Sequence, residues 1–294
     1  MKLGLLGLIV SDLTDVTYDK IRWAAELGFH GLGAHLTVPA EIVSDETAQY
    51  VSSLIAGQGL EFLQLWGPYP PIISPDERTR QAGVAAVREI VKLAARMGVP
   101  GAGVRPTSLN PQGDWWPHPD NHSQESEDRF VRSLGEILET AGDLDVNIIL
   151  ETHITTVLNS PHRIKRIIER VASDRVKLNL DPANFVGDLA TAFNPTPMIN
   201  ELFDLLGPYT DTVHVKDFYL ENRLILHISE TVTGTGMNDL DTILSRTQAL
   251  SPDMYAIIEH LPISQVPQAK RNLAQKIQEL GLPLGQKKVN DAGK

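Results

Sequence analysis

Four short apolar runs in the C-terminal half of the chain each end in a side chain that can ligate a metal or carry a proton. They are Asn147-Ile-Ile-Leu-Glu151-Thr-His153, Val176-Lys-Leu-Asn-Leu-Asp181-Pro-Ala-Asn184, Thr212-Val-His214-Val-Lys216-Asp217 and Tyr255-Ala-Ile-Ile-Glu259-His260. Runs of this length and composition read as buried strands. As parallel neighbours they would bring Glu151, Asp181, His214 and Glu259 to one mouth. Three carboxylates in one pocket repel strongly at low dielectric, and a divalent cation removes that cost. Three carboxylates with one imidazole form a hard, oxygen-rich donor set. The set suits one divalent metal, Mn2+ first, then Mg2+ or Co2+, with positions left for water or substrate oxygens. Zn2+ ranks behind these because no thiolate is available. Taken singly, each acid has a plainer reading: Asp181-Pro182 has the form of a helix cap before a first-turn proline. Recurrence at the ends of four successive strands is what points to a metal site.

The elements that must position these groups follow in order. Strand patterns fall at 3–10, 29–36, 60–66, 101–105, 146–151, 176–181, 212–215 and 254–258. Helical periodicity separates them at 17–27, 40–58, 75–97, 126–141, 161–171, 197–206, 240–250 and 266–280. A Gly/Pro-rich loop follows Trp66, a longer loop at 106–123 carries Trp115 and Trp116, and a polar excursion runs from 219 to 236. Regular alternation of strand and helix argues for parallel βαβ units. Eight such units in 294 residues is what an α/β (β/α)8 TIM barrel needs. Functional groups in such barrels sit at the C-terminal ends of strands, where the four residues lie. A doubly wound open sheet is the rival, but Leu8-Ile-Val-Ser-Asp12 after the first strand lacks a glycine phosphate fingerprint. With no linker or composition shift, one barrel domain is expected at 1–282, then a polar, mobile tail at 283–294.

Composition narrows the partners. Hydrophobic residues make up 42% and charged residues 21%, as in ordinary globular chains. No run approaches the roughly 20 apolar residues of a membrane helix. Met1 to Val10 reads as a first strand and not a secretory segment, because a helix start follows and no small-residue cleavage site is evident. The absence of cysteine excludes disulfides and thiolate metal sites and fits a cytoplasmic setting. A net charge of −11 argues against a nucleic-acid footprint. The expected partner is a small molecule, with neither nucleic acid nor membrane; a homo-oligomer is compatible with the sequence.

At Leu150-Glu151, Leu180-Asp181-Pro-Ala-Asn184, His214-Val-Lys-Asp217, Gly234-Thr-Gly236 and Ile258-Glu259 the sequence resembles the xylose isomerase-like TIM-barrel superfamily of sugar phosphate isomerases and epimerases. That group includes ketose 3-epimerases, hydroxypyruvate isomerase and inosose dehydratase. The resemblance implies that Glu151, Asp181, His214 and Glu259 hold the metal and that Glu151 and Glu259 form the acid–base pair. Two positions depart from it. Epimerases usually carry a histidine shortly after the sixth-strand aspartate, where this chain has Asn184. Many members end the second strand in a glutamate, where this chain reads Gly33-Ala-His35, with His35 as the replacement contact.

The implied activity is that of a divalent-metal-dependent isomerase or epimerase of a sugar or related polyol ketone. A proton would leave the carbon α to a metal-bound carbonyl, giving an enediolate. Its return to the opposite face epimerises, and its return to the adjacent carbon isomerises. Loss of a β-hydroxyl would make the same site a dehydratase of an inosose-like substrate. Substrate contacts are expected from His35, Trp66, Arg105, His153, Asn184, Lys216 and Asp217, with Trp115 and Trp116 as further platforms. Only Arg105 and Arg223 are placed to meet a phosphate, which favours an unphosphorylated sugar. Two other readings stand beside this one: an abasic-site endonuclease, which needs several more histidines at strand ends, and a non-catalytic sugar-binding barrel.

Overall fold

Near-continuous Val, Ile and Leu runs need cover on both faces, which helices packed outside a closed parallel sheet supply. The computed structural model describes residues 1–10 and 12–285. Its elements up to the seventh strand are β1 (Lys2–Leu6), α1 (Tyr18–Glu26), β2 (Gly31–His35), α2 (Asp45–Gly57), β3 (Glu61–Trp66), α3 (Glu77–Met97), β4 (Gly101–Val104), α4 (Gln124–Leu144), β5 (Asn147–Glu151), α5 (Pro161–Val171), β6 (Val176–Leu180), α6 (Leu189–Phe193), α7 (Thr196–Leu206) and β7 (Thr210–His214). There follow β8 (Asp217–Leu220), β9 (Ile228–Thr231), α8 (Leu240–Leu250), β10 (Tyr255–Ile258) and α9 (Val266–Glu279). Among the described residues, eight strands close a parallel barrel in the order β1-β10-β7-β6-β5-β4-β3-β2. Closure falls on β1, whose Lys2 is in register with Tyr255 of β10 and whose Gly4 is in register with Gly31 of β2. The expected (β/α)8 barrel is the observed fold. Its strands β5, β6, β7 and β10 are consecutive around the ring, so the four metal-capable strand ends are neighbours.

Local chemistry sets the boundaries. Thr17, Ser44, Asp76 and Ser123 cap α1, α2, α3 and α4, each accepting the N–H three residues on. The first strand stops at Leu6 because Gly7 turns into the left-handed region and gives its N–H to Gly33 O. The second helix begins at Asp45 and not at residue 40: a 3-10 turn at Ala40–Ile42 precedes the Ser44 cap. The excursion after β7 is partly ordered, as β8 and β9 pair antiparallel with Phe218 opposite Glu230. Two four-residue strands around a tip that carries Leu224, Ile225 and Leu226 are too short for periodicity to register. Of the expected tail, residues 283–285 run beside the start of β1: Met1 N donates to Pro283 O and Gly285 N–H to Met1 O. The rest of that tail, 286–294, lies outside the described residues.

The helical shell is stitched by buried charge. Glu127 of α4 is fully enclosed, and Arg163, Arg166 and Arg170 of α5 converge on it at 2.9, 2.6 and 2.7 Å. Burial pushes this carboxyl up, but hydrogen bonds from Arg166 and Arg170 outweigh it and hold the pKa at about 2, against an ordinary 4.5. A depressed folded-state pKa stabilises fully above 4.5 and loses that contribution as pH falls toward 2. Glu127→Gln should therefore cost roughly 2–3 kcal/mol at neutral pH, less than a wholly buried pair because the outer guanidiniums are solvated. In urea melts the gap to wild type should narrow between pH 4.5 and 2. A gap constant across that window would assign the loss to packing.

Candidate metal centre and its cavity

Side chains alternate across a strand, so inward positions recur every second residue. Ile149 and Ile257 belong to the apolar cluster inside the barrel with Leu63, Trp66 and Tyr255. Two residues further on, at the C-terminal strand ends, Glu151 and Glu259 point inward as well. Asp181 follows β6 and His214 ends β7 by the same count. All four are buried, and one ligand atom from each lies within 4.8 Å of the others. His214 Nδ1 faces all three acids, at 2.8 Å from Glu259 Oε1, 3.5 Å from Asp181 Oδ2 and 3.6 Å from Glu151 Oε1.

The electrostatics are those of a pocket short of positive charge. Burial pushes Glu151 up to about 7, with Glu259 and Asp181 adding to the rise against His214 and Lys216. Burial also works against ionisation of Asp181 and Glu259, but Lys216 and His214 beside them hold both below the usual carboxylate range. Burial opposes a charge on His214 too, yet Glu259 and Glu151 raise it to about 10. Lys216 Nζ lies 2.5 Å from Asp181 Oδ2 and 2.6 Å from Glu259 Oε1, so one ammonium serves part of the need. Asp181 Oδ2 is buried with no donor in hydrogen-bond geometry, despite that close ammonium. Three carboxylates and an imidazole nitrogen, with ligand atoms within 4.8 Å of one another, fit a divalent cation. A bound cation would itself reverse the rise at Glu151.

Two amides clamp Glu151. Asn179 Nδ2 donates to Oε2 at 2.7 Å, and Asn184 Nδ2 donates to Oε1 at 3.1 Å. Asn179 Nδ2 also lies against His214 Nε2. Asn184 further donates to Thr152 O and accepts from Lys216, so the residue that stands where epimerases have histidine ties Glu151 to Lys216.

A cavity of about 600 Å³ opens above the cluster, within the range of pockets that enclose small-molecule ligands. His35, Trp66, Arg105, His153, Asn184 and Lys216 line it together with Glu151 and Glu259, and Trp115 and Trp116 stand at its wall. Asp181 and His214 lie deeper. Trp66 is seated by Gly103 of β4: a Cβ there would fall 1.9 Å from the indole, so only glycine lets the ring lie on the strand backbone. Arg105 is held by Asp114 at 3.0 Å and by Gly67 O at 3.1 Å. Burial, with Arg105 adding, lowers His35 to about 4; burial, with Lys216 adding, does the same at His153. Both rings are therefore neutral at physiological pH and able to donate and accept hydrogen bonds.

The structure adds cavity residues that the sequence did not single out. Ile228 and Glu230 reach the cavity from β9. His260 turns back into the mouth at φ 60, a left-handed conformation rare outside glycine. Its ring stands 3.5 Å from Glu230 and 3.6 Å from Glu259. Only its adjacency to Glu259 signalled it. Asn179 could have been found as a polar residue at an inward position of an apolar strand.

Asp217 is the exception among the expected contacts, for it does not line this cavity. Its Oδ1 accepts the N–H groups of Phe218 and Asn238, and its Oδ2 those of Gly234 and Gly236. A Cβ on Gly236 would lie 2.3 Å from Asp217 Oδ1. The Gly234-Thr-Gly236 motif is thus a cradle for this buried carboxylate, and Asp217 pins the loop after β9 where a substrate contact was expected.

Comparison with known proteins follows the geometry. A family model described as xylose isomerase-like TIM barrel matches residues 21–279. No curated protein gives a significant match. Among solved structures, a D-tagatose 3-epimerase-like protein superposes with TM-score 0.74 at 20% identity, over 96% of this chain and 98% of that one. A xylose isomerase domain protein from Planctomyces limnophilus gives 0.70 at 20%, over 95% and 96%. A xylose isomerase-like TIM barrel protein from Mycobacterium smegmatis, solved in complex with magnesium, gives 0.72 at 17%, over 95% and 96%. At such identities the likeness establishes the fold.

The cradle makes a checkable distinction. Asp217→Asn turns a donor amide toward backbone N–H groups and should lower stability by roughly 2–3 kcal/mol in urea melts. Affinity for a divalent cation should be retained. An unchanged midpoint with weakened substrate binding would restore the contact role.

Proposed function

The chain belongs to the xylose isomerase-like TIM-barrel family, and on that premise we propose that it is a divalent-metal-dependent isomerase or epimerase of an unphosphorylated sugar or related polyol ketone. The observation that carries this reading is the buried convergence of Glu151, Asp181, His214 and Glu259 at the foot of a ligand-sized cavity. These four would hold the cation, with Mn2+ as the first choice and Mg2+, Co2+ or Zn2+ as alternatives. When bound, it supplies Lewis acidity that polarises a substrate carbonyl and stabilises the charge of an enediolate.

The chain's own groups do the rest. Glu151 and Glu259 stand at the two ends of the four-strand arc, on β5 and just past β10. One carboxylate takes the proton from the carbon next to the carbonyl, and the other returns a proton from the far side. Lys216 Nζ, between Asp181 and Glu259, reaches the cavity and offers positive charge to the developing oxyanion. His35, Arg105 and His153 present hydrogen-bonding groups to hydroxyls, and Trp66, Trp115 and Trp116 present flat apolar faces to the carbon side of a sugar. Among the described residues that line the cavity, the lysine and the arginine are both ion-paired, to Asp181 and Glu259 and to Asp114, and Arg223 is paired with Glu221 outside it. That supports a substrate without a phosphate.

The endonuclease reading loses support from the same geometry. His122 and His227 lie against the carbonyls of Ile154 and Ile225, and His162 faces Glu201. Among the described residues, none of these histidines joins the four-residue cluster. Cytoplasmic placement belongs to the proposal and rests on the lack of cysteine; no helix among the described residues is long and apolar enough to cross a membrane.

The test is a solvent-deuterium exchange screen of ketoses and inososes with added Mn2+, Mg2+, Co2+ or Zn2+. At least one compound should gain deuterium next to its carbonyl, and loss of water instead would select the dehydratase outcome. Glu259→Gln should slow exchange by roughly 10²–10⁴-fold, and Asp181→Ala should abolish cation binding while the fold survives. Full activity in either variant, or after exhaustive chelation, would sink the proposal.

A further inference from the structure

The barrel layer beneath the four-residue cluster is half apolar and half polar. Two residues before each cluster member stand Ile149, Asn179, Thr212 and Ile257, all buried. The isoleucines show that this depth of the barrel accepts plain hydrocarbon. Asn179 and Thr212, with Gln64 of β3, instead form an unbroken chain of hydrogen bonds. Trp66 Nε1–H donates to Gln64 Oε1 at 3.1 Å, Gln64 Nε2–H to Thr212 Oγ1 at 2.7 Å, the Thr212 hydroxyl to Asn179 Oδ1 at 2.6 Å, and Asn179 Nδ2–H to Glu151 Oε2 at 2.7 Å. Burying so many polar groups is costly unless each is satisfied, and here each is.

The chain has a direction. The Trp66 N–H can only donate, so Gln64 turns its oxygen to the indole and its nitrogen to Thr212, whose hydroxyl accepts and spends its one proton on the carbonyl of Asn179. That fixes which way the Asn179 amide points: oxygen toward Thr212, nitrogen toward Glu151. A rotated amide would set oxygen against oxygen at Glu151.

We propose that Gln64, Thr212 and Asn179 are positioning residues, which lock the Asn179 amide and so aim the Glu151 carboxylate at the cation and the substrate. The substrate half of this inference rests on the isomerase reading. The cation half rests on the geometry of the cluster, where the same Asn179 nitrogen also lies against His214 Nε2. None of the three touches the reacting atoms, and Thr212 acts only through Asn179. Hydrogen-bonded partners behind metal-capable carboxylates commonly set affinity and activity in this way.

Thr212→Val keeps the shape and removes the hydroxyl. Calorimetric titration of Mn2+ should show binding weaker by roughly 10–100-fold, and kcat for deuterium exchange should fall by a similar factor with KM little moved. Thr212→Ser restores the hydroxyl and should recover both. If valine is not accommodated, Thr212→Ala against Thr212→Ser makes the same comparison. Equal cation affinity and kcat in the valine variant and wild type would overturn the proposal, as would a serine variant no better than valine. A lowered melting temperature with unmoved cation affinity would also overturn it, leaving the chain a purely structural role. Wild-type protein that binds Mn2+ but exchanges no ketose or inosose would remove the isomerase reading, while the cation titrations still decide the positioning of Glu151. Wild-type protein that binds no divalent cation would overturn both.

Discussion

Like charge held in a confined space is the constraint on which the rest of this molecule depends. Carboxylates whose oxygens lie within 4.8 Å of one another repel by about 3–4 kcal/mol per pair at an effective dielectric near 20. Three such pairs would consume most of the ~5–15 kcal/mol by which a domain is stable. The pocket therefore demands positive charge, and the chain supplies part of it through His214 and Lys216. Three acids still face one ammonium and one imidazole. A divalent cation is the economical completion of that set, since it meets several oxygens at once.

Holding repelling groups together also demands a stiff frame. The closed ring of β-strands gives it, because no strand end can move without its two neighbours. Helices packed outside leave the strand backbones dry, and buried clusters such as Glu127 with its three arginines tie one helix to the next. Inside, the packing is divided by depth. Ile149 and Ile257 fill the barrel under Glu151 and Glu259, while Asn179 and Thr212 sit under Asp181 and His214. The polar half of that layer joins neighbouring β6 and β7 and reaches β3 across the ring through Gln64, while the apolar half packs against Leu63 and Trp66.

Much of this was readable in the sequence because two periodicities coincide. Strand–helix alternation specifies the barrel, and the last residue of each apolar run specifies what reaches the mouth. Glu151, Asp181, His214 and Glu259 needed no more than that. His35, Trp66, Arg105, His153, Asn184 and Lys216 lie at or just past strand ends and were found on the same ground. What escaped depends on partners distant in sequence. Asp217 has the look of a site residue, and only the fold shows that Gly234 and Gly236 return to enclose it. Asn179, Gln64 and Thr212 are polar letters inside apolar words, and nothing local says that they touch one another. The hairpin of β8 and β9 is too short to show a period, so Glu230 could not be placed at the mouth. His260 enters the cavity through a positive φ, which sequence near a histidine does not announce.

The cavity's charge balance bears on what the proposed enzyme accepts. A substrate phosphate would have to take Arg105 from the half-buried Asp114, or Lys216 from Asp181 and Glu259, which would leave two buried carboxylates short of their ammonium. It would also meet Glu230 at the wall. A neutral polyol meets no such opposition. His35 and His153 are kept neutral by burial and nearby cations. His35 Nε2 accepts from Arg105 and His153 Nδ1 from Thr155 N–H, so each ring keeps one N–H to donate to a hydroxyl, and the indoles take the C–H faces between. Affinity for such a ligand comes from many modest contacts spread over loops, and the walls carry no strong anchor apart from the cluster itself. Wall residues such as His35, Arg105 and those of the Trp115–Trp116 loop can then change with little effect on the four-residue cluster, because they belong to the N-terminal half of the barrel and the cluster to the C-terminal half. On the proposed reading, that division leaves the choice of sugar to residues whose spacing follows no chemical rule.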